Sequence, residues 1–468
     1  MTLRHIIITF LILCGSGIFI ATPLRADQQS QRIEEIKRRA LDQAASLHTQ
    51  EWNRLFFEYG GWLNYRFSDF NDQDNDGSTT DTLNNTQLTD LRWWLTATLN
   101  PPQDAGHQRE HYFYLRLKDL YVIRSGDAPG ARYDIEGPKV DYAYGILNYT
   151  PLWLEVGRRY FNVGQGLAYS NVHDGIQLNY KIPGWNFGAF ASKSLPHEDN
   201  IDTSVPGFDK KGERYFYGAG LGYAGIKNHT LYSYALVQRD ESNDYPESAT
   251  SDFTYNSEYY GLGAKGIFAD KWNYWVELIK QGGESQIFNS SKSADIDAWG
   301  ASTQLHFKPH VPLNPTIRME YAFGSGDKDR TNVTDTEGGN TSGTDRNFLY
   351  FGYIDTGFAL SPRLSNLHMF KAGFSLNPFE RFWDMRNFAL NFNFYRFLKT
   401  QSQGGISDTE ATELSSDIGT EIDFEIDWQI ASDLNLTLEY GYFMIGDAYP
   451  ESADENESFF SASLTHTF

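Results

Sequence analysis

The chain has a single cysteine, Cys14. It lies inside an apolar run at the amino terminus. Arg4 and the amino group supply positive charge, residues 6–20 are apolar, and Leu24-Arg25-Ala26 ends in the small residue a signal peptidase needs. Residues 1–26 therefore read as a cleavable secretory signal, with Asp27 as the first mature residue. Leu13 is not the small residue a lipoprotein site wants before its cysteine. With Cys14 removed, nothing remains for a disulfide, a zinc–thiolate site or a cysteine nucleophile. No later segment has the eighteen or so apolar residues of a transmembrane helix. Excess positive charge is also missing: the net charge is −22, and loss of 1–26 removes two arginines and no acid. That balance excludes nucleic acid as a partner.

Aromatic residues are plentiful, at 16 % of the chain, although overall composition is polar. That pairing suits a transmembrane β-barrel, whose lumen and loops are wet while alternate residues touch lipid. The period of the sequence agrees. Within 88–99, Leu91, Trp93, Leu95, Ala97 and Leu99 share one parity, against Asp90, Arg92, Trp94, Thr96 and Thr98. Within 421–430, Ile422, Phe424, Ile426, Trp428 and Ile430 alternate with Glu421, Asp423, Glu425, Asp427 and Gln429. From 55 to 468 about eighteen such segments follow one another, an even number as single-chain bacterial barrels require. The last ends in Phe468. Short connections such as Thr150-Pro151, Pro183-Gly184 and Asn377-Pro378 alternate with long ones at 68–87, 124–138, 161–173, 194–212, 240–254, 284–294, 327–366, 399–418 and 446–458. Short periplasmic turns against long external loops predict an all-β, antiparallel outer-membrane barrel over 51–468. Ahead of it, Ile33, Ile36, Ala40, Ala44 and Leu47 predict a short periplasmic amphipathic helix over 27–50.

Parity assigns Arg92, Arg116, Lys118, Arg159 and Arg318 to the lumen, with Asp90, Glu277, Glu320, Glu421, Asp423 and Glu439 as acidic counterparts. Such charges either pair across the wall or form a selective track, with basic rings favouring anions. Trp62, Trp153, Trp185, Trp272 and Trp275 read as interfacial girdle. Trp94 and Tyr114 are lumen rings on which a sugar could stack. Asp72, Asp74 and Asp76 copy the first half of a calcium loop, but its twelfth position is Leu83 rather than a bidentate glutamate. The site is weak at best, and no other cofactor is indicated. His173 and Asp174 are neighbours, so a strand sends them to opposite faces and they form no relay. No serine has a nucleophile's context, so the chain does not read as an enzyme.

Several blocks together resemble the alginate export family of outer-membrane barrels. They are LTDLRWWL at 88–95, LEVGRRY at 154–160, HDGIQL at 173–178, YAFGSGD at 321–327, SPRLSNL at 361–367, DIGTEID at 417–423 and YGYFMIGD at 440–447. Their order matches the family across nearly the whole chain after the signal. The resemblance implies an eighteen-stranded barrel in the bacterial outer membrane through which an anionic polysaccharide, an alginate-like polyuronate, crosses passively. It carries pore-lining roles onto Arg92, Arg158 or Arg159, Arg318 and Arg363, with Glu421 and Asp423 as acids. Parity prefers Arg159 to Arg158. The partners it implies are outer-membrane lipid and lipopolysaccharide, the saccharide itself, and periplasmic export components. Loop 327–366, rich in Gly, Thr and Asp, is the expected lid. The same strands would also serve a general or small-solute porin.

Overall fold

In a hydrocarbon layer no water is available to a strand edge, so a membrane-crossing sheet must close on itself. The computed structural model describes residues 48–52, 55–71, 84–99, 111–125, 132–196, 213–241, 255–287, 292–330, 343–379, 387–453 and 456–468, with isolated positions between them. The strands are β1 (His48–Trp52), β2 (Leu55–Asn71), β3 (Asn85–Leu99), β4 (His111–Ser125), β5 (Arg132–Tyr149), β6 (Leu152–Asn162), β7 (Ser170–Ile182), β8 (Trp185–Lys193), β9 (Arg214–Ile226) and β10 (His229–Asp240). They continue as β11 (Tyr255–Phe268), β12 (Trp272–Gln286), β13 (Ser293–Phe307), β14 (Thr316–Gly324), β15 (Leu367–Leu376), β16 (Phe388–Lys399), β17 (Asp417–Ala431), β18 (Leu434–Ile445) and β19 (Glu457–Thr467). Strands β2 to β19 form a closed antiparallel barrel of 18 strands. Each pairs with its sequence neighbour, and β19 pairs with β2 over Ser458↔Asn71 to Thr467↔Trp62.

The closure leaves part of one edge over. β19 covers β2 only from Trp62 upward, while β1 pairs with Leu55 to Tyr59 lower on that edge. Phe468 and Gly61 exchange both backbone hydrogen bonds, each 2.9 Å, between the two. A Cβ at Gly61 would lie 2.4 Å from the Arg92 carbonyl oxygen and 2.6 Å from the Phe468 ring. Only glycine fits that junction. Residues 48–50, expected as the end of a helix, are thus strand: β2 has open donors there and β1 fills them. The signal segment, residues 27–47 and the Asp72–Asp74–Asp76 loop lie outside the described residues.

The outer face is apolar in the predicted parity. Leu91, Trp93, Val156, Leu178, Leu262, Leu278, Phe370, Phe424 and Phe460 are all exposed. Trp185 with Tyr223 (ring centroids 4.6 Å) and Trp272 with Phe307 (4.6 Å) sit at the periplasmic strand ends. Three of the expected girdle residues belong elsewhere: Trp153 shares its face with Glu155, which accepts from Asn179, opposite the exposed Leu152 and Val156, and two more depart for the same reason. Trp62 is fully buried on the inner face, and the Trp275 indole N–H donates to the Tyr232 hydroxyl at 2.8 Å. Both share parity with lumen residues, Asn64 and Glu277. Proximity to a strand end could not reveal that.

The main apolar cluster lies inside the barrel, towards the external end. It joins Phe161, Leu167, Tyr169, Phe216, Tyr259, Ile279, Phe348, Leu349, Leu364 and Phe397. Loops, not wall strands alone, supply it. On the outside, Leu278→Arg near mid-height of β12 should lower stability by about 2–4 kcal/mol, since a midplane charge must leave water. Urea unfolding in phospholipid vesicles measures this; an unchanged midpoint would mean position 278 does not face lipid.

Candidate functional site

Two external loops turn inward and meet inside the lumen. One joins β6 to β7; the other, described over 325–330 and 343–366 with position 333 between them, joins β14 to β15. Phe351 N–H donates to the Ala168 carbonyl (3.0 Å), Tyr353 N–H to that of Gly166 (3.0 Å), and Ser170 N–H to that of Phe351 (3.2 Å). Gly352 lies against the backbone of the first loop: a Cβ there would fall 1.9 Å from the Gly166 oxygen and 2.0 Å from that of Leu167.

A loop drawn into a barrel brings backbone donors that water no longer reaches, and each needs an acceptor. Two wall carboxylates supply them. Glu277 on β12 accepts from Gln165 N–H (2.7 Å), Tyr232 hydroxyl (2.6 Å) and Tyr234 hydroxyl (2.9 Å). Glu421 on β17 accepts from the N–H groups of Phe358 (2.6 Å), Ala359 (2.7 Å) and Leu360 (3.0 Å). Further ties come from Gln281, whose side-chain oxygen accepts from Leu349 N–H (3.1 Å), and from Tyr259, whose hydroxyl donates to the Leu349 carbonyl (2.8 Å). Lys371 donates to Asp355 at 2.7 Å. The wall is also shaped for the loop. Ala298, Gly300, Ala322 and Gly324 give β13 and β14 a small-residue inner face, and a Cβ at Gly300 would meet the Phe348 ring at 2.4 Å.

The residues singled out from sequence divide into five groups. Arg92 and Arg116 point inward but are each 1 % exposed. Arg92 pairs with Asp90 at 2.9 Å and also with Asp141, and Arg116 pairs with Asp141 at 2.5 Å. Asp141 sits where the β4–β5 register slips, which sends it to the same face as Tyr142. Arg116 lies over the Trp62 ring (5.2 Å) and the Tyr142 ring (4.1 Å). These guanidinium groups belong to a closed ionic cluster rather than to an open track. Arg158 corrects one expectation. It makes a two-pronged pair with Asp174 (2.8 and 3.0 Å), and Asp174 shares a face with the exposed Ile176 and Leu178, so Arg158 is on the outer side. His173, on the other face, is buried and bonded to the Tyr169 hydroxyl at 2.7 Å.

Arg159 and Lys118 are inward and half-buried; Arg159 pairs with Glu155 and lies 5.9 Å from the Tyr144 ring. Arg318 is also half-buried, and donates to the side-chain oxygens of Asn391 (3.4 Å) and Asn393 (3.3 Å). Among the described residues it has no carboxylate partner. Arg363 is part of the inward loop, its backbone N–H donating to Ser407 Oγ at 2.9 Å. Glu421 and Asp423 are both fully buried, beneath the loop rather than along open water. The sequence did hint at the loops: β13 carries Asp295, Asp297 and Trp299 outward and Ala294, Ile296, Ala298 and Gly300 inward. An apolar inner face needs something to cover it. No group of three or more His, Cys, Asp or Glu among the described residues is placed to hold a metal ion.

Removing one member of a buried ionic cluster strands its partners. Asp141→Ala should cost about 3–5 kcal/mol in vesicle unfolding, and an unchanged midpoint would show that Arg92 and Arg116 are solvated. Glu421→Gln replaces one acceptor oxygen by a donor facing three N–H groups. Charged hydrogen bonds of this kind are worth about 1.5–3 kcal/mol, so loop release should rise about ten- to a hundred-fold. The expected readout is higher single-channel conductance with faster thiol labelling of Ala359→Cys. Labelling no faster than in the Glu421 background would rule out the anchor.

A family model for alginate export matches residues 58–463. No curated protein sequence matches the chain. Among solved structures it is similar to Pseudomonas aeruginosa OccK5 (OpdH), at 10 % identity and TM-score 0.54, covering 88 % of this chain and 98 % of that one. OccK7 (OpdD) of the same organism gives 10 % identity and TM-score 0.54 over 89 % and 99 %. OpdK, solved with vanillate, gives 12 % and 0.52 over 88 % and 98 %. These likenesses are of fold: closed outer-membrane barrels of porin type. With the family model spanning nearly the whole wall and the closed barrel bearing long external loops, the chain belongs to the alginate export family and is an outer-membrane channel protein.

Proposed function

We propose that this channel passes an anionic saccharide, with alginate-like polyuronate as the substrate class. The observation that carries the reading is a partly open track of rings and guanidinium groups on the inner wall. Trp94, expected as a ring on which a sugar could stack, is itself buried and backs Tyr114 (ring centroids 6.3 Å); the half-buried Tyr114 lies 5.3 Å from Tyr144, and Arg159 lies over Tyr144. Arg318 adds a cation elsewhere on the inner wall whose side-chain partners are neutral amides. A uronate offers a flat C–H face for the rings and a carboxylate for guanidinium, through charge-assisted, often bidentate bonds. Several weak contacts in series suit flux better than one tight site. A polymer must be handed over from the periplasm, so export components there are the expected partners. Delivery of the chain itself is assigned to segment 1–26, read as a cleavable signal.

A second reading, a channel for small carboxylates, is favoured by the two anchored loops that narrow the lumen. OpdK, a barrel of the same fold, was solved with vanillate. Planar-bilayer recording separates the two. Under the first reading, oligouronate blocks the current in a concentration-dependent way, and Arg318→Ala weakens that block about ten-fold or more, the equivalent of one charged hydrogen bond. Block by small aromatic carboxylates with indifference to oligouronate would replace the first reading by the second.

A further inference from the structure

The outer face of the barrel carries one feature that a plain lipid-facing wall does not need. At the external ends of β13, β14 and β15, beside residues 346 and 400–401, there is a cavity of about 330 Å³. Its walls include Trp299, Phe323 and His368, which share the lipid-facing parity of Phe370 and Met319. Phe323 and His368 pack at 5.1 Å, and the Tyr321 hydroxyl bonds His368 at 3.0 Å. The rings form a fixed floor rather than loose apolar cover.

Positive charge rims this floor. Arg346 is exposed and lines the cavity. Its backbone is held in place, its N–H donating to Asp327 at 2.9 Å and its carbonyl accepting from Ser325 Oγ at 2.7 Å. Its guanidinium has no carboxylate partner among the described residues. Lys280 lies 4.7 Å over the Trp299 ring and pairs with Asp297. Thr400 and Gln401 add polar groups at the upper edge. The segment carrying Arg346 takes over where β14 stops: Asp297 N–H donates to the Asp345 carbonyl and Asp345 N–H to that of Asp295, both 2.8 Å. Asp345 then faces in, paired with Arg330, and Arg346 faces out. Alternation alone puts the cation at the level where the strands leave the membrane.

From this juxtaposition we propose that the cavity is a seat for lipopolysaccharide, with acyl chain on the Trp299–Phe323–His368 floor and a glucosamine phosphate on Arg346. The outer leaflet at this level is built of that lipid. A guanidinium with no carboxylate partner among the described residues, above an aromatic, lipid-facing floor, complements a headgroup that is anionic at the top and hydrocarbon below. Phosphate recognition also favours arginine over lysine, for its fork of donors.

The full chain, purified in detergent, is titrated with diphosphorylated lipid A, with its dephosphorylated form and with phosphatidylglycerol, by native mass spectrometry. Heat-modifiable migration verifies folding of each variant. The wild type should prefer diphosphorylated lipid A. Arg346→Ala should weaken binding ten-fold or more and abolish the preference over the dephosphorylated form, while Arg346→Lys retains part of it. Arg239→Ala is the control, a half-exposed arginine paired with Glu258 near the external end of β10. Equal losses in Arg346→Ala and Arg239→Ala would overturn the proposal in favour of general surface charge. Phosphatidylglycerol binding as tightly, with the same Arg346 dependence, would overturn it in favour of an unspecific anionic-lipid site.

Discussion

Closure of the hydrogen-bond ladder is the constraint from which the rest follows. Apolar solvent offers nothing to an open edge, so β19 must reach β2. The junction at Gly61 and Phe468 shows how tightly that is arranged. β2 is longer than β19 at its lower end, and the surplus donors are taken by β1. Once the wall is closed, side chains alternate between two environments, and every later feature is a consequence of which side a residue falls on.

The inner side has the harder task. Lipid accepts any apolar side chain, but a lumen crossed by loops must satisfy polar backbone as well as fill space. Carboxylates do much of this work. Glu277 and Glu421 stand on different parts of the wall; Glu277 holds one loop through the Gln165 N–H, and Glu421 holds the other through three N–H groups. The apolar cluster above them makes the external half resemble the inside of a soluble domain. Below, charge is balanced locally: the Asp90–Arg92–Asp141–Arg116 cluster, Arg66 with Glu439, and Lys371 with Glu320 and Asp355 all place a cation on a nearby acid. An acidic chain can therefore still offer guanidinium to an anion, since its acids are committed to the wall and the loops.

Under the proposed function, the half-accessible groups are the ones a permeating anion would meet. Tyr114, Tyr144 and Arg159 are fixed by neighbours yet keep a side open. Arg318 is oriented by two asparagines without being neutralised. Buried pairs hold the frame, and these half-buried groups lie on the inner wall.

The alternating pattern determined the strands, their order and the face of nearly every residue, because a barrel strand has period two and lipid tolerates little else. The expected run of about eighteen segments corresponds to β2 through β19, and parity alone separated Arg159 from Arg158. What alternation could not supply is contact between distant segments. That Arg92 meets Asp141 depends on a register slip in β5, and that Glu421 is a loop anchor depends on residues 358–360 arriving from another part of the chain. Facing the lumen is a local property of a strand. Whether a lumen residue meets water, an acid or a folded-in loop depends on packing across the barrel, which only the closed structure brings about.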